Sequence, residues 1–194
     1  MKIAILLTSI SFLLAAANVQ AGPNFVFILA DDMGYGDVSH AGGKISTPNL
    51  DKIRAQGMRF TDAHTTSSVC TPTRYGILTG RYNWRSRLKK SVLFPPDLSI
   101  MDPARKTIAG FLKDRGYRTC VVGKWHLGLN WHMLPKPAKA ATGPTKGTCW
   151  NIDFSKPPQQ GPLKLGFTED FLFPACASRW SATGAPRFSS RRST

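Results

Sequence analysis

Cys70 stands at the head of Cys70-Thr71-Pro72-Thr73-Arg74, and the residue types around it are those that make a sulfur reactive. Pro72 suits the first turn of a helix because it has no amide to satisfy there, Thr71 is a good N-cap, and Gly80 is a natural stop. A helix is therefore expected to open beside Cys70. The positive end of its dipole and the guanidinium of Arg74, one turn along, each lower a thiol pKa and each attract an oxyanion. From these residues the reading is a reactive sulfur facing an anionic substrate. The competing reading is a buried structural cysteine ahead of an ordinary helix. Two further groups carry chemistry. Asp31 and Asp32 follow the apolar run 25–30 and offer two hard oxygen donors for a cation. Lys124 and His126 follow the apolar segment 117–122. Taken singly, an Asp-Asp pair is usually a turn or cap, and a Lys, an Arg or a lone His beside Trp125 is usually a surface residue.

The elements that must position these groups are legible as α/β. The continuous apolar run 25–30 is that of a strand buried on both faces of a parallel sheet. Thr47-Pro48 opens a helix with Leu50, Ile53 and Met58 on one face and Gly57 at its end. Residues 59–63 read as a short strand delivering the chain to Cys70. Residues 107–115, with Ile108, Phe111 and Leu112 on one face and Gly116 as the stop, form another helix, and 117–122 the strand after it. Ligands bind at the carboxyl ends of strands in open α/β sheets, so three strand ends are expected to aim chemistry at one edge.

With 194 residues, 42% hydrophobic and only 19% charged, the chain is large enough for a domain with a core and is not disordered throughout. Residues 1–21 read as an export signal: Lys2 supplies charge, an apolar stretch follows, and Val19-Gln20-Ala21 is a small-x-small cleavage site. The stretch is too short for stable membrane insertion, so a periplasmic or secreted location is expected. Cys70, Cys120, Cys149 and Cys176 show neither a disulfide framework nor zinc-finger spacing. The net charge of +15 invites nucleic acid as a partner, because Arg85, Arg87, Lys89 and Lys90 cluster beside Trp84. No recognition motif accompanies them, so no nucleic-acid partner is expected; a sulfated polysaccharide suits the same surface. Residues 130–162 read as a long loop or insertion rich in Pro, Gly and Lys. The tail 172–194 has four arginines, Arg179, Arg187, Arg191 and Arg192, no acidic residue and no periodicity, and reads as out of frame or as a loose C-terminus.

Three blocks carry a resemblance. Cys70-Thr71-Pro72-Thr73-Arg74 followed by Leu78-Thr79-Gly80-Arg81 resembles the signature of the type I sulfatases. The stretch from Gly116 to Gly123-Lys124-Trp125-His126 resembles that family's second signature, and the stretch from Pro23 to Asp31-Asp32-Met33-Gly34-Tyr35-Gly36-Asp37 its opening strand with paired metal-binding aspartates. The resemblance implies an alkaline-phosphatase-like fold, of which residues 22–171 would be the N-terminal part, with a doubly wound, mostly parallel sheet flanked by helices.

It also implies a mechanism. A maturation enzyme would oxidise Cys70 to formylglycine, whose hydrate attacks the sulfur of a sulfate ester; the second hydroxyl then loses its proton, the aldehyde re-forms and sulfate departs. Asp31, Asp32 and the modified Cys70 would hold a divalent cation, Ca²⁺. Arg74 would stabilise the hydrate and the metal shell, Lys124 would neutralise a sulfate oxygen or the aldehyde hydrate, and His126 would hydrogen-bond the hydroxyl whose proton leaves. His64 resembles another family position and is read as structural. The family's further metal ligands and leaving-group acid have no counterpart here, so little activity is expected of these residues alone. The alternatives are a phosphonate or phosphodiester hydrolase of the same superfamily, or a non-catalytic secreted polyanion binder.

Overall fold

A strand persists only where its backbone amides and carbonyls find a neighbour, and that requirement separates the elements that form from those that do not. The computed structural model describes residues 22–94, 97–135, 152–173 and the backbone of 191–192. The chain divides into two compact units, Met1–Met58 and Arg59–Thr194.

In the first unit, helix α1 (Pro48–Gln56) forms where Thr47-Pro48 and Gly57 bound it, with Pro at its first turn. A hydroxyl network ties it to the preceding turns. The Ser39 amide donates to Thr47 Oγ1 (3.0 Å), the Thr47 amide to Ser39 Oγ (3.0 Å), and Ser39 Oγ to Asp51 Oδ2 (2.6 Å). His40 Nδ1 lies 3.0 Å from the other Asp51 oxygen. The Ser39 hydroxyl, with His40 beside it, holds the Asp51 carboxyl below its ordinary value of 3.8. A carboxylate whose folded pKa is depressed stabilises the fold above its unfolded pKa and loses that contribution as pH falls. We expect α1 amide protection to drop as pH falls below about 3.8, and Ser39→Ala to raise the Asp51 midpoint in a carboxyl carbon NMR titration. An unchanged midpoint would contradict the network.

The expected strand 25–30 is not formed: the segment lacks regular structure and Val26 and Ile28 are 84% and 78% exposed. The sheet has the order β1-β2-β3 and includes none of these residues. Segment 59–63 is likewise irregular. Both expectations fail for one reason, the lack of a strand neighbour among the described residues.

In the second unit, β1 (Cys120–Lys124) and β2 (Glu169–Phe173) pair in parallel from Cys120↔Glu169 to Lys124↔Phe173, and β3 (Arg191–Arg192) runs antiparallel to β2. Strand structure thus enters both ends of the tail that lacked periodicity. Helix α2 spans Cys70–Thr79 and helix α3 spans Ile108–Lys113. Strand β1 starts later than expected because the Tyr117 amide bonds back to Leu112 (3.2 Å) beneath the left-handed Gly116, so residue 117 still belongs to the helix cap. Thr107 caps α3, accepting from the Gly110 amide (3.0 Å) and donating to the Leu165 carbonyl (2.5 Å). The face of α3 differs from the sequence reading. Ala109 is buried, whereas Ile108 and Phe111 are 54% and 45% exposed, and the Arg115 guanidinium lies 3.5 Å over the Phe111 ring. Gly166 explains the rotation. A side chain there would meet the Gly110 nitrogen at 2.2 Å, so the chain passes directly over the small-residue face of the helix.

The core gathers around Tyr75, Trp125, Leu127 and Phe167, with Trp125 edge-on to Phe167 at 6.3 Å. The ends of the long loop are stitched by antiparallel bridges Asn130↔Gln160 and Met133↔Ile152. Residues 1–21, Cys149 and Cys176 lie outside the described residues; Cys70 and Cys120 are free thiols. Among the described residues no helix is long and apolar enough to cross a membrane.

Candidate active site

Cys70 is the first residue of α2 and is half-buried. The N-cap is Val69, with extended backbone, and not Thr71. Thr71 lies inside the first turn with no exposed surface. Its hydroxyl donates to the His126 carbonyl (2.8 Å) and accepts from the Leu93 amide (3.2 Å). His126 Nε2 sits 2.7 Å from the Leu93 carbonyl. A carbonyl only accepts, so Nε2 carries the proton. Thr71, Leu93 and His126 thereby close a buried ring of hydrogen bonds between the start of α2 and the segment after β1. His126 is held there with φ of 53°, one of three described non-glycine residues in the left-handed region, with Asp32 (61°) and Ser91 (67°). Such backbone persists only where surrounding contacts over-determine it, and it concentrates at functional sites.

Arg74 makes the second tie. Its guanidinium Nη1 donates to the Lys124 carbonyl at 2.6 Å, bridging α2, one turn past Cys70, to the last residue of β1. Lys124 ends the strand instead of following it. Cys70, Arg74, Lys124 and His126 are therefore carried by two segments joined through Thr71 and Arg74. The chain around Cys70 and Arg74 carries no acidic residue, since no Asp or Glu occurs from residue 63 through 96. An anion approaching the α2 N-terminus meets the positive end of the helix dipole.

Asp31 and Asp32 belong to the first unit, where both are exposed and Asp32 adopts left-handed backbone. Among the described residues no group of three or more His, Cys, Asp or Glu is placed to hold a metal ion. Two adjacent carboxylates fall well short of the roughly 6–8 oxygens Ca²⁺ requires, so the donors present do not fit a complete cation site. Accordingly we expect Ca²⁺ titrated into this chain to bind with a Kd no tighter than about 1 mM, the weak end of protein calcium sites. Calorimetry showing micromolar binding would overturn that.

His64 pairs with Asp62 (2.6 Å) in an exposed loop, in keeping with a local structural role. Sequence reasoning missed the working role of Thr71, taking its hydroxyl for a cap, and did not single out Leu93. No local pattern marks them, since the bonds span 55 and 22 residues.

A sulfatase family model matches residues 23–165. The chain belongs to the sulfatase family. It is 41% identical over 159 residues to an N-acetylgalactosamine-6-O-sulfatase of Bacteroides thetaiotaomicron, covering 81% of this chain and 27% of that protein. It is 45% identical over 118 residues to human arylsulfatase A, covering 60% and 23%. A solved structure from work on glycosaminoglycan metabolism by Bacteroides thetaiotaomicron superposes with a TM-score of 0.64 at 40% identity, covering 79% of this chain and 28% of that one. A sulfatase from Pseudoalteromonas sp. gives 0.53 at 29% identity, covering 77% and 25%. The fold is thus the α/β, alkaline-phosphatase-like fold of the sulfatases, and this chain spans about a quarter of the length of the relatives it matches.

Proposed function

We propose that this chain carries the nucleophile-bearing part of a sulfuric ester hydrolase of the arylsulfatase type. The observation that supports it most directly is the joining of the Cys70 helix, through Thr71 and Arg74, to the backbone of His126 and Lys124. In this reading Cys70 is converted to formylglycine by a maturation enzyme, which supplies an aldehyde hydrate as nucleophile and a route for expelling sulfate. The chain's own residues do the rest. Lys124 pairs with a sulfate oxygen, and His126, with its Nε2 proton committed to Leu93, offers Nδ1 as the acceptor for a proton at the nucleophile. Arg74 acts as a positioning residue for Lys124 as well as a positive charge. Asp31 and Asp32 contribute oxygen donors to a divalent cation, Ca²⁺, whose remaining ligands must come from other residues.

The substrate is a sulfate ester on a carbohydrate or an aryl alcohol, a choice supported by relatives named for N-acetylgalactosamine 6-sulfate, aryl and steryl sulfates. Export through the signal at residues 1–21 is part of this reading. The test is co-expression with a formylglycine-generating enzyme, mass analysis of the Cys70 peptide, and assay against a chromogenic aryl sulfate. Aldehyde at Cys70 is expected, with little turnover from these residues alone because the cation shell is incomplete. An unmodified thiol would favour the polyanion-binding alternative.

A further inference from the structure

Helix α2 ends at Gly80, whose left-handed backbone (φ 63°) turns the chain into a loop of unusual composition. Gly80, Arg81, Tyr82, Trp84 and Arg85 line a cleft of about 330 Å³. Tyr82 and Trp84 stack face to face, with centroids 4.0 Å apart and planes inclined by 13°, yet remain 48% and 51% exposed. The loop beneath them is held in place. Asn83 is buried and its amide donates to the Leu88 carbonyl (3.0 Å), Ser86 Oγ donates to the Asn83 carbonyl (2.6 Å), and Lys89 Nζ donates to the Trp84 carbonyl (2.6 Å). The aromatic pair is thus pre-organised while both residues stay about half exposed. Arg81 and Arg85 flank it, and neither pairs with a carboxylate among the described residues; the nearest acidic residues in sequence are Asp62 and Asp97.

We propose that this cleft is a saccharide-binding subsite for a sulfated glycan chain, separate from the reacting centre. An exposed aromatic face offers a flat apolar platform with a negative quadrupole for the polarised C–H face of a pyranose ring, and a guanidinium presents forked donors that match a sulfate group. Neither group alone selects such a ligand. A platform and two guanidinia that pair with no carboxylate among the described residues, around one cleft, select a ring that carries an anion. Gly80 lies ten positions after Cys70 along α2, about 15 Å along the axis at 1.5 Å per residue, so a ligand reaching both is an oligosaccharide and not a single sugar. The proposal rests on the sulfatase reading only for the choice of sulfate as the anion.

The experiment is calorimetric titration of a 6-sulfated chondroitin hexasaccharide into the full chain carrying Cys70→Ala, so that neither nucleophilic attack nor maturation enters. Trp84→Ala is expected to weaken binding at least about 10-fold, Trp84→Tyr to restore most of it, and Arg81→Gln with Arg85→Gln to weaken it about 10-fold. Arg105→Gln, a charge elsewhere on the surface, is the control and is expected to change nothing beyond about 2-fold. Desulfated hexasaccharide should bind at least about 10-fold more weakly than the sulfated one. Binding indifferent to Trp84→Ala, or equal loss with Arg105→Gln, would reduce the site to general charge attraction and overturn the proposal. Tighter binding of a single-stranded DNA oligonucleotide than of the hexasaccharide would overturn it in favour of a nucleic-acid surface. An unmodified Cys70 in the maturation assay would leave these outcomes untouched, so the two readings fail separately.

Discussion

Cys70→Ala is expected to lower sulfate-ester hydrolysis by more than about 10⁴-fold in any form of the protein that turns over, and to erase the aldehyde signature from the Cys70 peptide. The size follows from the chemistry. Removing a covalent nucleophile leaves only binding and electrostatic stabilisation, and neither can replace the bond that the nucleophile forms to sulfur. Cys70→Ser separates two functions of that residue. A hydroxyl there can still attack, but it has no second hydroxyl with which to expel sulfate, so at most a stalled sulfated enzyme is expected, visible as a mass increase after exposure to substrate. The α2 N-terminus should still fold in both variants, because Cys70 is only half-buried and the helix is anchored by Thr71. Turnover within about 10-fold of the parent after Cys70→Ala would remove Cys70 from the mechanism.

Thr71→Val is expected to cost about 2–4 kcal/mol in denaturant unfolding of the second unit. Valine matches threonine in shape, so no cavity opens. What is lost is one hydroxyl that serves two buried backbone groups, the His126 carbonyl at 2.8 Å and the Leu93 amide at 3.2 Å. Each buried polar group left without a partner costs about 1–3 kcal/mol, and no exposed surface at Thr71 lets water substitute. The same change frees the strained His126 backbone, so catalytic efficiency should fall with stability. Thr71→Ser keeps the hydroxyl and is expected to recover the midpoint to within about 1 kcal/mol. A Thr71→Val variant that unfolds at the parent midpoint would show that the buried ring contributes nothing.

Much of the site was legible because its signals are local. A helix needs only its own residues to open and stop, so Pro48 with Gly57 bounded α1 and Gly80 marked the end of α2, whose start lies at Cys70, two residues ahead of Pro72. Strands were less legible. Residues 25–30 have the composition of a buried strand and remain irregular, because a strand is completed by a neighbour that its own sequence does not specify. The face of α3 was misread for a related reason: apolar spacing marks Ile108 and Phe111, but packing follows the close approach of Gly166 to Gly110. Arg74 shows the same division within the site. Its charge was evident from the motif, while its bond to the Lys124 carbonyl was not.

The amino-acid sequence by itself determined the family, the candidate nucleophile and its place at a helix start, since motif chemistry and helix capping are written in consecutive residues. Tertiary structure alone decided that Thr71 is a buried pin instead of a cap, that Arg74 grips the end of β1, and that His126 is strained and committed through Nε2. Those three facts are hydrogen bonds across 55, 50 and 33 residues. Contacts that far apart in the chain are chosen by which segments the core brings together, and no short window of sequence contains that information.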